Sequence, residues 1–486
     1  MSSEKRRVVA IGIDAGEPSL FQRWIREGEL PAMQSLLERG SWHRVRSGAE
    51  IGSGSVWPTF TTETSPAAHG IYGDWEFDPQ TMALRRSQWG QIEPFWRRLA
   101  RRGQTCAVFD VPFAPPSGED HIEELLDWGA HDWLGGSRTV RGDAFRAAAR
   151  QVGNHPFTQR VTNVESAGDR EGLQRLFHDC VEGVNRRGEI LIRLVEQSKA
   201  GVVIAVFTEV HRAGHYLWSA PDAADLSLLG IARAIDQQIG RVMTKLRSGD
   251  ALMVFSLHGM RGSAGIPQLP AHLLEHDGYC TTAPLQTQEW KQRAGTIAAA
   301  AKRAVPDRLK KIYYRLMPPA VTFRLAQPAA LANYDWRRTR AFALPSDQNG
   351  WIRLNLRGRE KEGIVAPGEY GPLLAEIGER FEHLRDREGN RLVDRIVLPE
   401  NGSPPPLLPD LILHWTEAAE RNPVELDDPP IRSHPIGTKF SGQHAAEGFL
   451  LLQSGTGDRP GQLIAAETLG ALIERIAEPK RVTMTE

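Results

Sequence analysis

The chain has 486 residues, enough for one large α/β domain with insertions or for several folding units. Its 59 lysines and arginines almost cancel 60 aspartates and glutamates, which excludes a global field for a nucleic-acid polyanion or an anionic membrane surface. Three cysteines (Cys106, Cys180 and Cys280), far apart and odd in number, exclude a CxxC metal knuckle and argue against a disulfide framework, so a reducing, cytoplasmic compartment is expected. No run approaches the roughly 18 apolar residues that cross a bilayer. The opening residues pass directly into a strand without an apolar leader, and read as mature protein.

Arg7 to Ile13 is a β-branched strand, and Asp14 stands at its carboxyl end, followed by Ala15, Gly16 and Pro18. In open α/β sheets ligands collect beyond the carboxyl ends of the strands, so this carboxylate is placed either for a metal or as a cap on the next helix. An amphipathic helix around Leu30 to Gly40 follows. Gly52, Ser53, Gly54 and Ser55 then form a small turn that can present a serine hydroxyl and backbone amides at a helix start. The glycines complete neither GxGxxG nor a P-loop. Taken singly, such a turn is more often structural than catalytic.

Cys106 to Val111 is a further strand, and the following residues to about Ser198 read as largely helical and polar. His155, His178 and Asp120 in that stretch are expected to be structural or solvated. Val202 to Phe207 is a continuous apolar run, as expected of a strand buried on both faces of a parallel sheet. His211 and His215 come straight after it, and in a helix their i, i+4 spacing offers two imidazoles to one metal ion. An amphipathic helix, Leu226 to Leu246, leads into the strand Ala251 to Ser256, which ends in Leu257, His258, Gly259 and Met260. Residues 266–340 alternate proline-rich and basic pieces and read as an insertion or lid. Thr339 to Leu344 and Gly350 to Leu356 read as strands flanking Ser346, Asp347, Gln348 and Asn349; Asp410 to Trp415 and Gly448 to Leu452 follow as strands, the second shortly after His444. Residues 463–477 read as a closing helix and 481–486 as a frayed tail.

Asp14, the serine turn, His211 with His215, His258 with Gly259 and Met260, and His444 each sit beside a strand end, in this order. The series resembles the alkaline phosphatase superfamily, in particular its type I phosphodiesterase and nucleotide pyrophosphatase branch, over residues 8 to about 452. The resemblance implies a doubly wound, mostly parallel central sheet with helices on both faces, a single catalytic domain over residues 1–486, and inserted cap segments at 115–198 and 266–340. It implies two metal ions, usually zinc, with a serine or threonine nucleophile between them. Asp14 would bind the nucleophile-side ion. Counting back from the block Pro66 to Gly70 puts Ser53 at the nucleophile position, with Ser55 as the alternative, because Ser55 occupies the place of the family's proline. The absence of cysteine here argues against a formylglycine sulfatase.

Two departures matter. At the family's next motif Glu209 is present, the aspartate position is His211, and the final ligand is His215; with His444, matching the family's late histidine, these make a three-nitrogen site. Where the family has Asp-His-Gly-Met, this chain has Leu257 before His258, so the nucleophile-side ion keeps Asp14 and His258 and is weak, absent or completed by another group such as Glu209. The expectation is a metal-dependent hydrolase of phosphate or phosphonate esters, acting through a phosphoserine on Ser53 with one or two Zn2+ ions, or Mn2+, and small-molecule substrates. The rivals are a degenerate, non-catalytic ligand-binding member and a phosphoryl-transferring mutase. A fourth reading, satisfied core histidines, suits a single histidine better than four past strand ends.

Overall fold

Val9, Ile11 and Ile13 enter one hydrophobic core and Val8 and Ala10 another, as the two-residue period of an extended chain requires. A strand buried on both faces belongs inside a sheet. The computed structural model describes residues 6–129, 138–159, 164, 168–263, 266, 268–282, 331, 334–346, 349–399, 402–416, 419, 424–427, 429–433, 440–454 and 460–478. They divide between two compact units. One comprises Met1–Gly73, Gln88–Ser263 and Gly437–Glu486, and the other Asp74–Ser87 and Ala264–Ile436.

The first unit carries strands β1 (Val8–Ile13), β2 (Ser41–Arg46), β3 (Cys106–Phe109), β4 (Ile122–Leu126), β5 (Thr139–Arg141), β6 (Val202–Phe207), β7 (Ala251–Ser256), β8 (Gly259–Gly262), β9 (Gly442–Ala445), β10 (Glu447–Gln453) and β11 (Leu463–Ala465). Nine of them form one mixed, mostly parallel sheet in the order β11-β2-β10-β7-β1-β6-β3-β4-β5, while β8 and β9 pair separately. The longer helices are α1 (Pro18–Arg26), α2 (Pro31–Glu38), α3 (Val56–Thr62), α4 (Phe95–Arg101), α5 (Asp143–Val152), α6 (Arg170–Gln197), α7 (Glu209–Leu217), α8 (Leu228–Met243) and α9 (Leu469–Ala477). Apolar residues of α1, α2 and α5 to α8 share one core with one face of the sheet; those of α3, α4 and α9 share the other core with the opposite face. This is the expected doubly wound arrangement with helices on both faces.

Register positions the site. Ile13 is opposite Phe207 of β6, and Gly12 is opposite Phe255 of β7, all parallel. The residues that follow β1, β6 and β7 therefore emerge side by side at one edge, with β1 in the middle.

Residues 115–198, expected as a cap insertion, instead supply β4 and β5 to the sheet and the 28-residue helix α6 to one of its faces. Ile122–Leu126 buries every residue except the half-buried Glu123, a strand pattern that the two glutamates disguise. The closing helix begins later than expected. Leu463–Ala465 is an edge strand parallel to β2, with Leu463 exposed and Ile464 buried, and the helix starts at Leu469.

The second unit has an antiparallel sheet ordered Ala341–Leu344, Gly350–Leu354, Leu411–Trp415 and Val393–Val397. Helices Leu269–His276 and Tyr370–Glu382 share its hydrophobic core. It runs on to Ile436, far beyond the expected end of an insertion at 340. Most of 266–340, together with Asp347, Gln348 and the tail 481–486, lies outside the described residues. Among the described residues no helix is long and apolar enough to cross a membrane.

Candidate metal centre

At the end of β1 the ladder extends one residue further, Asp14 N donating to Phe207 O at 2.8 Å. The chain then turns sharply: Ala15 is fully buried with φ of 59°, a left-handed conformation that costs a non-glycine residue about 1–2 kcal/mol. Ser256 holds the turn, accepting from Gly16 N at 2.9 Å and donating to His258 O at 2.7 Å. Asp14 does not cap the next helix; Glu17 does, its side chain accepting from Ser19 N at 3.3 Å.

Asp14 is fully buried. Its Oδ1 accepts from Trp57 Nε1 at 2.9 Å and faces His258 Nε2 at 3.1 Å, and its Oδ2 faces His211 Nδ1 at 3.0 Å. The carboxylate on the central strand thus meets one histidine from each neighbouring strand, as the register dictates. Trp57 reaches it because position 12 is glycine: a Cβ there would lie 3.1 Å from the indole.

Helix α7 follows β6 after Thr208 and presents His211 and His215 on one face, with their Nε2 atoms 3.1 Å apart. His215 Nδ1 lies 3.1 Å from Gly442 O on β9. A side chain at position 442 would put its Cβ 2.2 Å from Gly214 O, so glycine is what lets β9 run against α7. Antiparallel pairing of β9 with β8 sets His444 opposite Met260, and the His444 ring centroid lies 4.8 to 4.9 Å from those of His211, His215 and His258. Burial first, and then the three neighbouring imidazoles, hold His444 well below the usual imidazole pKa, so it is neutral. Its Nε2 is buried without a hydrogen-bond partner.

One ligand atom from each of His211, His215 and His444 lies within 4.8 Å of the others, the one such group of metal-binding side chains among the described residues. The donor chemistry fits a divalent cation. A carbonyl only accepts, so Gly442 O holds the His215 proton on Nδ1 and leaves its Nε2 lone pair facing His211 Nε2, while the Asp14 carboxylate stands 3.0 Å from His211 Nδ1. Two nitrogens 3.1 Å apart are compatible only if a proton or a cation lies between them, and a shared cation suits both lone pairs. Nitrogens bound tetrahedrally to one zinc at about 2.0–2.1 Å stand about 3.3 Å apart.

The serine turn consists of the single 3-10 turn Ser53–Ser55 leading into α3. Ser55 is fully buried and its Oγ donates to Gly52 O at 2.7 Å, whereas Ser53 is partly accessible. The Pro66 to Gly70 block braces this turn. Ile71 N donates to His69 Nδ1 at 3.1 Å, which leaves the proton on His69 Nε2 to meet Thr59 Oγ1 at 3.1 Å; Thr59 in turn donates to Ser55 O at 2.8 Å. Burial pushes the His69 pKa down to about 4, so the relay is neutral.

Glu209, the group considered for completing a second metal site, has its Oε1 committed elsewhere, with Oε2 buried and without a hydrogen-bond partner. Its Oε1 meets Arg187 Nε at 3.1 Å and His155 Nε2 at 2.9 Å, and Arg187 Nη1 meets Asp110 Oδ2 at 2.6 Å, all buried. Against burial, which pushes it up, Arg187 and His155 hold the Glu209 carboxyl down to about 2. His155 is thus structural, as expected, while His178 and Asp120 are exposed.

The family described as type I phosphodiesterase / nucleotide pyrophosphatase matches residues 8–405. The chain belongs to this family. Members of the type I phosphodiesterase family are metal-dependent phosphoester hydrolases, typically with zinc. No curated protein matches the chain. Among solved structures, phosphonoacetate hydrolase from Sinorhizobium meliloti, in complex with phosphonoformate, is 14% identical, with 98% of this chain and 96% of that chain covered and a TM-score of 0.55. Human ectonucleotide pyrophosphatase / phosphodiesterase 5 is 11% identical over 97% and 95% of the two chains, with a TM-score of 0.46. The first of these likenesses supports the alkaline phosphatase-like fold.

Trp57, Ser256, Gly442 and the brace role of His69 escaped the sequence reading. Only His69 carried a signal, its place in the Pro66 to Gly70 block.

Proposed function

We propose that this chain hydrolyses small phosphate or phosphonate esters with Ser53 as nucleophile and a divalent cation, zinc in the first instance, held by His211, His215 and His444. The observation that carries the reading is the convergence of three imidazole nitrogens at the carboxyl edge of the sheet. When bound, the cation supplies fixed positive charge for the phosphoryl oxygens. Phosphoryl transfer rests on alignment and charge more than on proton shuttling. In the chain's own part of the chemistry, the Ser53 hydroxyl oxygen bonds to phosphorus as the bond to the ester oxygen breaks, the serine proton leaving with the released alcohol, and water then cleaves the phosphorylated or phosphonylated serine to release the acid and restore the hydroxyl. The partly accessible position of Ser53 at the start of a turn, against the buried and engaged hydroxyl of Ser55, supports this assignment.

The neighbour's phosphonoformate complex makes phosphonates part of the substrate panel. Metal-free protein is assayed on p-nitrophenyl phosphate, bis(p-nitrophenyl) phosphate and p-nitrophenyl phenylphosphonate with added zinc or manganese. Turnover with either metal supports the hydrolase. Its absence with every substrate and metal, in protein that still binds zinc, selects the second reading, a non-catalytic ligand-binding member, which Leu257 favours.

A further inference from the structure

We propose that the chain holds one divalent ion, at His211, His215 and His444, and that Asp14 is no ligand of a second ion but the outer carboxylate that orients His211 and His258. The proposal rests on the three-histidine site of the preceding reading and departs from the two-ion arrangement that the family resemblance implies.

Two observations carry it. First, the second ion lacks donors. Leu257, where the family places a carboxylate, is fully buried in the apolar core with Val56, Trp57 and Phe255. No described carboxylate stands in for it. Glu17 is used by Ser19 through Oε1 and by Met260 N at 3.2 Å through Oε2, and Glu209 Oε1 is held by Arg187 and His155. No second cluster of metal-binding groups occurs among the described residues.

Second, Asp14 already faces partners from the chain itself on both oxygens. Trp57 Nε1 and His258 Nε2 share Oδ1, and His211 Nδ1 stands 3.0 Å from Oδ2. A histidine that donates one ring nitrogen to a carboxylate and turns the other to a metal is a recurrent design, because the outer acceptor fixes the ring and raises its basicity. The replacement of the family's aspartate by His211 creates this pair. An aspartate at 211 would have set two carboxylates against each other; an imidazole turns Asp14 into its partner.

The test is metal stoichiometry on the full-length protein, saturated with zinc and dialysed, read by elemental analysis and by titration calorimetry. Cobalt substitution adds a coordination spectrum, and thermal melts confirm that each variant is folded. One equivalent in the wild type, abolished in His211→Ala and in His444→Ala and retained in His258→Gln, supports the proposal. Two equivalents in the wild type, or one that His258→Gln abolishes and His211→Ala keeps, overturns it while leaving a metal-dependent hydrolase in place. Zero equivalents overturns both this proposal and the function on which it rests.

Discussion

Asp14 Oδ2 lies 3.0 Å from His211 Nδ1, joining the central strand of the sheet to the helix that follows its neighbour. Removing the negative charge while keeping the shape tests what that contact does. Asp14→Asn leaves an amide that can still accept from one side, but it no longer polarises His211 or His258. Zinc affinity is expected to fall about 10- to 100-fold, the usual effect of losing an outer partner of a ligand, with the bound equivalent retained at saturating zinc. Competition against a chromophoric chelator measures the shift. An unchanged affinity would show that the Asp14–His211 contact contributes nothing to metal binding.

The two serines of the turn separate by burial. Ser53→Ala is expected to lower turnover at least about 10³-fold and to abolish a phosphoserine trapped by acid quench and found by peptide mass spectrometry. Ser55→Ala removes a buried hydroxyl that donates to Gly52 O at 2.7 Å. Its expected effect is a loss of about 1 kcal/mol of stability with turnover within a few-fold of wild type. The reverse pattern would move the nucleophile to Ser55.

Arg187 is fully buried between Glu209 and Asp110, and its guanidinium lies 5.4 Å from the centre of the Phe109 ring and 5.6 Å from that of Trp128. Arg187→Met keeps volume and leaves two buried carboxylates without their cation. Breaking a buried pair from one side destabilises by roughly 3–5 kcal/mol, so urea denaturation should show a loss of that size. A loss below about 1 kcal/mol would mean that the carboxylates find water or protonate at little cost. Because Glu209 begins α7, two residues before His211, the variant is also expected to weaken zinc binding.

The sequence made the central strands legible because β1, β6 and β7 are apolar runs buried on both faces, and such runs have few alternative explanations. It also made the histidine pair legible, since i, i+4 spacing is a local property. Trp57, Ser256 and Gly442 were not legible. Each acts through a contact between segments distant in the chain, 43, 240 and 227 residues apart for the pairs Trp57–Asp14, Ser256–Gly16 and Gly442–His215, and none is a residue type that announces chemistry. Strand β4 was hidden by Glu123 and Glu124. Glu124 is buried because its carboxylate accepts from Ser117 N and Oγ, a compensation invisible to a hydropathy pattern. Strand β11 was hidden because three residues, Leu-Ile-Ala, merge with the apolar face of the helix that follows.

The brace behind the serine turn has its own pH signature. His69 is pushed down to about 4 by burial, against about 6.5 in an unfolded chain. Above pH 6.5 both states are neutral and the brace contributes fully. As the pH falls from 6.5 to 4 the unfolded chain takes up the proton first, so stability is lost by up to about 1.4 kcal/mol per pH unit, roughly 3 kcal/mol in all. Below 4 the loss from this group stops. Glu209 acts in a different window: its carboxyl is held down to about 2, so its contribution is present above about pH 4.5 and disappears as the pH falls toward 2. His69→Gln keeps a side-chain donor for Thr59 and removes the titration. Urea denaturation of both proteins from pH 4 to 7 should therefore show the variant less stable at pH 7, by about 1 kcal/mol for an imperfect brace, with the gap closing and reversing as the pH drops. A gap that stays constant across that range would show that the His69 proton is not what couples the serine turn to pH.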